Sequence, residues 1–270
     1  MTGPGTTDED GGGSRAALCV IVPAHNEAGL IARTLAALAP LGQDRAAGQL
    51  MVVCNACTDN TAEVAARAAP AARVMTIADR GKANAINRAL AEADPGIVIV
   101  VDSDVILSPD CLAALVETLS QPDVMVASPA GKFDLTGCPW IVRAYYRVFV
   151  RQPYLHRGVG GSGVYGLSIA GRQRLGTLPL LIGDDHFVRC FFPETTQRRV
   201  DRTASGIPVH VDICAPHSLR ALLHTERRSR LGDQEVPRLH RVQYARPGRN
   251  GLRSARSLDR MRLHRLWHRL

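Results

Sequence analysis

The chain has 270 residues, of which 46% are hydrophobic and 21% charged, with a formal net charge of +8 at pH 7. This length suits one large α/β domain or two small ones and allows a sizeable buried core. Aromatic residues make up only 4% of the chain, which argues against an all-β sandwich and against an aromatic platform for single-stranded nucleic acid. No apolar run approaches the roughly 18 residues that a membrane-spanning helix needs.

The positive charge is unevenly distributed. Residues 198–270 carry a net charge of +11 and the remainder carries −3. Such a basic segment predicts an anionic neighbour, which is a lipid surface, a nucleic acid or a phosphorylated substrate. The first 16 residues are acidic and rich in glycine, so we expect a disordered leader there and not a secretory signal.

The seven cysteines include one CxxC pair, Cys54 and Cys57. A zinc or redox site is one reading of this pair, but no second pair lies at zinc-finger spacing. Free thiols in a reducing cytoplasm are the preferred interpretation.

The predicted elements alternate between strands and helices up to about residue 130. Strands are expected at 18–23, 49–54, 73–77, 96–101 and 123–128, and helices at 30–38, after residue 60, from 82 and after Ser108. This alternation indicates βαβ units and a mostly parallel sheet. Ligands of such sheets bind beyond the carboxyl ends of the strands.

The second half of the chain has a looser pattern. A basic amphipathic helix is expected at 140–150, and a glycine-rich loop at 158–171 leads into a strand. Paired acids precede a short helix within 182–193, and residues 210–232 suggest a strand, a turn and a helix. Beyond residue 236 the chain is dense in arginine.

Two carboxylates, Asp102 and Asp104, directly follow the apolar strand 96–101. Carboxylates at this spacing can hold Mg²⁺ or Mn²⁺, which complete their coordination with water and phosphate oxygens. The alternative is a pair of helix-capping acids. That alternative is weakened because Ser108 and Pro109 already have the pattern of a helix start.

Polar residues also follow the first two predicted strands. Asn26 and Glu27 offer an amide and a carboxylate to a base or a ribose, and Asn55 and Asp59 follow the second strand. Each has the alternative of a helix start, and for Asp59 we favour that alternative.

Three further groups extend the set of candidates. Gly81 and Lys82 begin a helix, where free N–H groups and a cation suit phosphate or ribose oxygens. The adjacent acids Asp184 and Asp185 come before a short helix, which they could cap. Arg227 and Arg228 lie in a predicted helix and could form a solvated face.

The ordered set of motifs resembles the family 2 glycosyltransferases, which have the GT-A fold. The matching segments are VPAHNE (22–27), CNACTDNT (54–61), GKANAIN (81–87), VDSD (101–104), GGSGVYGLS (160–168) and GDDHFVR (183–189). The resemblance extends over residues 18–232. It implies a Rossmann-like, mostly parallel central sheet flanked by helices, with a mixed half on the acceptor side.

The resemblance also implies roles for individual residues. Asp104 and Asp102 would hold Mg²⁺ or Mn²⁺ on the donor diphosphate, and Asp185, paired with Asp184, would be the general base. The residues expected to bind the nucleotide-sugar are Pro23, Ala24, Asn26, Glu27, Asn55, Gly81, Lys82, Asp102, Ser103, Arg227 and Arg228. Those expected to bind the acceptor are Gly161, Ser162 and Gly163.

The implied activity is metal-dependent, inverting transfer of one sugar, of hexosyltransferase type, from a nucleotide-sugar to an acceptor hydroxyl. UDP is the favoured nucleotide, although Cys54 stands where an Asp often binds the base, and Asp184 replaces the usual Glu. The Trp-containing motif of processive polymerases is absent, which favours single addition. Retaining transfer and nucleotidyl transfer on the same fold remain alternatives.

We therefore divide the chain into a leader (1–16), a nucleotide-sugar-binding half (17–130), an acceptor-binding and catalytic half (131–235) and a basic tail (236–270). We expect a cytoplasmic protein at the inner face of the membrane, with a lipid-linked acceptor and weak contact of the tail with anionic lipid. Nucleic-acid binding by the tail is the alternative from another functional class, and the scarcity of aromatic residues disfavours it.

Overall fold

The computed structural model describes residues 17–43 and 48–243. The strands are β1 Ala17–Ala24, β2 Gln49–Asn55, β3 Arg73–Ile77, β4 Gly96–Val101, β5 Val105–Leu107, β6 Val126–Pro129, β7 Gly131–Asp134, β8 Val164–Leu167, β9 Gln197–Val200 and β10 Val211–Cys214. The helices are α1 Ile31–Gln43, α2 Thr61–Ala68, α3 Lys82–Glu92, α4 Pro109–Leu119, α5 Trp140–Phe149, α6 Ile169–Leu175, α7 Asp184–Phe191 and α8 Leu219–Gln243.

A seven-stranded central sheet has the order β3-β2-β1-β4-β8-β6-β9. Its first four strands are parallel, and β9 is parallel to β6. Strand β8 is antiparallel to both of its neighbours, β4 and β6. This arrangement confirms the predicted α/β class with a mostly parallel sheet.

The sheet is buried on both faces. In β1, Val20 and Val22 belong to one apolar cluster, while Cys19 and Ile21 belong to the cluster on the opposite face. Because helices cover both faces, the central strands are continuous apolar runs without alternation. This is why their positions are so clear in the sequence.

A second sheet has the order β5-β10-β7. The sequence analysis did not predict β5, because three residues are too few to show a period. Strand β5 directly follows the Asp-x-Asp segment, and the N–H of Cys214, at the end of β10, donates to the carbonyl of Asp104 over 3.1 Å. The small sheet therefore fixes the backbone of Asp104.

Two helix starts were tested by the structure. The Ser108 hydroxyl accepts from the N–H of Cys111 over 3.3 Å, which confirms the predicted cap of α4. The paired acids do not precede the next short helix as expected: Asp184 and Asp185 are the first two residues of α7, and Gly183 is its N-cap residue.

The strand expected from residue 123 begins at Val126. The preceding residues form a turn in which the Val124 N–H donates to the carbonyl of Gln121.

The basic tail was expected to begin at residue 236, which lies within α8. Helix α8 continues through it to Gln243, and Val236 is only 1% exposed because it packs into the core. The leader 1–16 and residues 244–270 of the tail lie outside the described residues. Within 17–43 and 48–243, no helix has the length and apolar character needed to cross a bilayer.

Candidate active site

The carboxyl ends of β1, β2 and β4 lie side by side, because β1 pairs with both of the others. The segments that follow these strands are therefore neighbours. Pro23 and Ala24, which were expected to bind the nucleotide, are buried at the end of β1.

Asn55 joins three of the candidate segments. Its side chain is 3% exposed; Nδ2 donates to the carbonyl of Ala24 over 2.8 Å, and Oδ1 accepts from the N–H of Gly81 over 3.1 Å. The carbonyl of Asn55 lies 2.6 Å from Nδ1 of His25. The Asn55 side chain, which was expected to bind the nucleoside, thus holds the segments of Ala24 and Gly81 in place.

Asn26 and Asp59 are engaged with the neighbouring loop. The Asn26 amide donates to the Thr58 hydroxyl over 3.1 Å and accepts from the Thr58 N–H over 2.8 Å. Asp59 accepts from the N–H of Thr61 over 3.0 Å and from the N–H of Ala28 over 3.3 Å. We favoured Asp59 as the cap of the next helix, but the N-cap residue of α2 is Asn60, one residue later; the Asp59 carboxylate accepts from the N–H of the helix's first residue, Thr61.

Carboxylates are concentrated beside the Asp-x-Asp segment. Burial and the charge of Asp104 raise the pKa of Glu27 to about 7, and burial and the charge of Asp102 raise the pKa of Asp104 to about 6. The guanidinium of Arg228 acts in the opposite direction on both pKa values. The charge of Arg228 therefore acts on both carboxylates, and its neighbour Arg227 is exposed.

Lys82 connects the two halves of the chain. Its Nζ lies 2.6 Å from Oδ1 of Asp102 and 2.9 Å from Oδ1 of Asp184. Burial alone would lower the pKa of Lys82, but the two carboxylates outweigh burial and raise it above the ordinary value. The ammonium that we expected to face donor oxygens thus bridges two carboxylates.

The adjacent acids have different environments. Asp184 is 2% exposed, and burial raises its pKa to about 6, although the neighbouring Lys82 acts to lower it. Asp185 is half-buried; its Oδ1 accepts from the N–H of His186 over 2.8 Å, and a Cβ placed on Gly160 would lie 3.9 Å from its Oδ2. Asp184 is thus paired with Lys82, while Asp185 faces the glycine-rich loop.

The glycine-rich loop contacts the Asp-x-Asp segment directly. The N–H of Asp102 donates to the carbonyl of Gly163 over 2.8 Å. Gly163 has a φ of +68°, and a Cβ there would lie 2.7 Å from Cγ2 of Val105, so only glycine fits. Gly161, also expected at the acceptor, is half-buried.

Two serines expected to contact substrate are enclosed by the protein. Ser162 is 0% exposed, and its hydroxyl bonds to the hydroxyl of Ser128 and to the carbonyl of Val164. Ser103 is 7% exposed, and its carbonyl accepts from the Thr34 hydroxyl. The side chain of Ser162 therefore stabilises the loop and has no surface for an acceptor, which corrects its expected role.

Helix α8 holds the loop that carries the adjacent acids, a feature that the sequence analysis missed. Nδ1 of His186 lies 2.9 Å from Oδ1 of Asp233, and the N–H of Ile182 donates to Glu235 over 2.8 Å. Burial alone would lower the pKa of His186, but Asp233 raises it to about 9. The available signal was the pair of acids at 233 and 235 within an otherwise basic segment.

An aromatic cluster from the second half of the chain lies near the helix that carries the adjacent acids. Its members are Phe133, Tyr145, Tyr146, Phe149 and Tyr154. The guanidinium of Arg189 lies 5.3 Å from the ring centre of Tyr154, and Arg189 follows Asp185 by one helical turn. That spacing of four residues was the signal in the sequence for a side chain next to the acids.

We predict that Lys82→Met destabilises the protein by about 3 kcal/mol, because it leaves the buried Asp184 without its counter-charge. Lys82→Arg, which keeps the positive charge, should lower the free energy of unfolding by less. Urea unfolding at pH 7 measures both. Equal stability of wild type and Lys82→Met would contradict the ion-pair assignment.

The raised pKa of Glu27 predicts a pH-dependent effect of Glu27→Gln. Because the folded protein binds this proton more tightly than the unfolded chain, wild type loses stability as the pH rises from about 4.5 through about 7. In EDTA, Glu27→Gln should therefore melt higher than wild type at pH 8 and nearly equally at pH 5. A melting difference that does not change with pH would exclude this cause.

Solved structures share this fold. A mannosyltransferase from Pyrobaculum calidifontis, in complex with GDP-Man and Mn²⁺, is 24% identical with a TM-score of 0.60, and the match covers 88% of this chain and 66% of that one. Glucosyl-3-phosphoglycerate synthase from Mycobacterium tuberculosis, in complex with Mn²⁺, UDP and glucosyl-3-phosphoglycerate, is 22% identical with a TM-score of 0.56. That match covers 86% of this chain and 81% of the synthase. At these identities the likeness establishes the fold.

No curated protein matches the chain. The model of glycosyl transferase family 2 matches residues 19–167, which is more than half of the chain and extends from the first strand into the glycine-rich motif. The chain therefore belongs to the family 2 glycosyltransferases.

Proposed function

We propose that this glycosyltransferase uses Mg²⁺ or Mn²⁺ to transfer one hexosyl group, with inversion, from a UDP-sugar to an acceptor hydroxyl. The observation that carries the proposal is the ion-pair network of Lys82, Asp102 and Asp184, which brings the Asp-x-Asp segment and the adjacent acids to one place. Single addition remains part of the proposal because the chain lacks the processive motif.

The carboxylates beside β4 suit a divalent cation. Asp104 and Glu27 have raised pKa values because both carboxylates are partly buried and other carboxylates lie near them, and a cation there would relieve the repulsion. Lys82 already occupies Oδ1 of Asp102, so Asp104 would be the principal ligand and Oδ2 of Asp102 a second one. Mg²⁺ commonly takes one or two carboxylates and completes its shell with water and phosphate oxygens.

A bound cation would neutralise the negative charge that develops on the leaving diphosphate. The chain's own cation for that task is Arg228, whose charge already acts on Asp104. Asn55 holds the loops of Ala24 and Gly81 at the expected nucleoside pocket.

Asp185 is the better placed of the two acids to accept the proton of the acceptor hydroxyl. One of its oxygens is held by the N–H of His186, which orients the carboxylate, and the residue retains exposed surface. Asp184 is enclosed and paired with Lys82, so its role is to position the network. A carboxylate within reach of the attacking hydroxyl is the requirement for a general base.

The nucleotide of the donor and the class of acceptor are proposed from residue 54, a structural neighbour and the charge of the chain. Cys54 is 0% exposed, and burial raises its pKa to about 12, so position 54 offers no charged group to a base. We retain UDP as the proposed nucleotide, as found in the M. tuberculosis synthase. A cytoplasmic location at the membrane and a lipid-linked acceptor remain proposals that the basic charge of residues 198–270 supports.

Asp104→Asn should lower sugar transfer by about 100-fold or more while the fold is kept, because it removes the principal metal ligand and also a buried charge. Thermal shifts with UDP-, GDP- and dTDP-sugars, with and without Mn²⁺, should be largest for a UDP-sugar with metal. The metal-dependent part of this shift should vanish in Asp104→Asn.

The control for this variant is Asp110→Asn, which alters an exposed acid in the first turn of α4. It should retain both transfer and the metal-dependent shift. Full activity of Asp104→Asn in EDTA would refute the metal-dependent proposal. A larger thermal shift of wild type with a GDP-sugar than with a UDP-sugar would show that the donor nucleotide is GDP.

Asp185→Asn should lower kcat by about 10²- to 10⁴-fold with little change in donor affinity, because it removes only the proton acceptor. Asp184→Asn should also reduce stability, since Lys82 loses a partner. Steady-state kinetics, donor titration and urea unfolding separate the two. Product NMR should show the inverted anomer; a retained anomer or released pyrophosphate would contradict the mechanism.

A further inference from the structure

Helices α5 and α8 pack against each other and cover the acceptor side of the molecule. Their inner sides form an apolar cluster in which Val142 and Tyr146 of α5 meet Leu222 of α8, together with Cys138 and Ala215. These residues are at most 7% exposed. The packing accounts for one side of each helix and leaves the opposite side outward.

The outward sides carry large apolar residues that no part of the described chain covers. Trp140 is 78% exposed, Val148 64% and Leu223 60%. Leu219 and Leu231 are 43% and 45% exposed. Single exposed apolar residues are common, but several on two adjoining helices mark an interaction surface.

Arginines are interleaved with these apolar residues. The exposed ones on the two segments, besides Arg228 at the site, are Arg143, Arg147, Arg151, Arg220, Arg227 and Arg230. The one acid within 140–151 and 219–231 is Glu226, which is half-buried and whose charge acts on Tyr145. We call this surface, formed by the outward residues of 140–151 and 219–231, the α5–α8 face.

We propose that the α5–α8 face docks on the surface of an anionic lipid bilayer. Charge complementarity attracts its arginines to the headgroups, and their aliphatic stems can extend along the apolar layer while the guanidinium groups stay in water. Tryptophan and leucine insert at the boundary between headgroups and acyl chains.

The exposed apolar residues of the α5–α8 face favour a lipid bilayer over a nucleic acid or a second copy of the chain. A nucleic acid would use the arginines but gains little from the exposed Val148 and Leu223. A second copy of the chain would have to bring the same six arginines together without acids to balance them, which is unfavourable. An anionic bilayer uses both kinds of residue at once.

The α5–α8 face adjoins the candidate active site. Tyr146, on the inner side of α5, has its pKa raised by burial and by the charges of Glu226 and Asp104. Docking would therefore bring the acceptor side of the cleft to the lipid surface. The inference does not depend on the proposed chemistry, because binding to vesicles is measured without donor or acceptor.

The test is sedimentation of the full chain with vesicles of phosphatidylcholine containing about one third phosphatidylglycerol, compared with phosphatidylcholine alone. We expect binding to the anionic vesicles that weakens as salt is raised. Arg143→Glu/Arg147→Glu should lower the partition coefficient about 20-fold or more, because two attractive charges become repulsive. Trp140→Ser/Leu223→Ser should lower it about tenfold at every salt concentration.

Control variants change exposed residues of the same types elsewhere. Arg67→Glu/Arg174→Glu, on α2 and α6, and Ile169→Ser, on α6, should bind like wild type. Asp104→Asn should also bind like wild type, which separates docking from catalysis.

Three results would overturn the proposal. The first is wild-type binding by both α5–α8 variants, which would leave residues 244–270 as the source of any affinity. The second is equal binding to neutral and anionic vesicles. The third is that the variants lose affinity for a duplex DNA or lose a dimer by light scattering while vesicle binding is unchanged.

Discussion

The buried ion-pair network around Lys82 is the constraint on which the site depends. Asp184 is almost fully enclosed, and a buried carboxylate is costly unless a cation and hydrogen bonds compensate it. Lys82 supplies the cation and at the same time holds Asp102. The helix that begins at Lys82 is fixed in turn by Asn55, which accepts from the N–H of Gly81. The Asp-x-Asp segment and the adjacent acids are thus coupled through one ammonium group.

Two pairs of acids close in sequence serve different purposes because their surroundings differ. In each pair one member, Asp102 or Asp184, is bound by Lys82. We propose the other members, Asp104 and Asp185, as the reacting carboxylates: Asp104 lies among partly buried carboxylates whose repulsion a cation would relieve, and Asp185 keeps exposed surface and one oriented oxygen. Each half of the chain would then combine one carboxylate that is held in place with one that is available to a metal or a substrate.

Much of the fold was predictable, and the limits have physical causes. The run 96–101 is apolar throughout because β4 is buried on both faces, so it indicated a central strand directly. Strands β5, β7 and β9 have three or four residues and are defined by their partners, not by a period. The strand-end rule selected Asn55 as a candidate, and its side chain lies between the segments of Ala24 and Gly81. It could not show that the amide is used internally or that Ser162 is sealed, because both depend on partners distant in sequence.

Helix α8 contacts the segment that carries Asp184 and Asp185 on one side and faces outward on the other. A Cβ on Gly232 would lie 2.8 Å from the N of Gly183, so the helix and the residue that caps α7 are in direct backbone contact. Asp233 and Glu235 add an ion pair and a hydrogen bond to the same loop. We therefore expect a displacement of α8 to be transmitted to the start of α7 and to Asp185. The outward side of the same helix forms part of the α5–α8 face, so whatever binds that face acts on the helix that positions the proposed base.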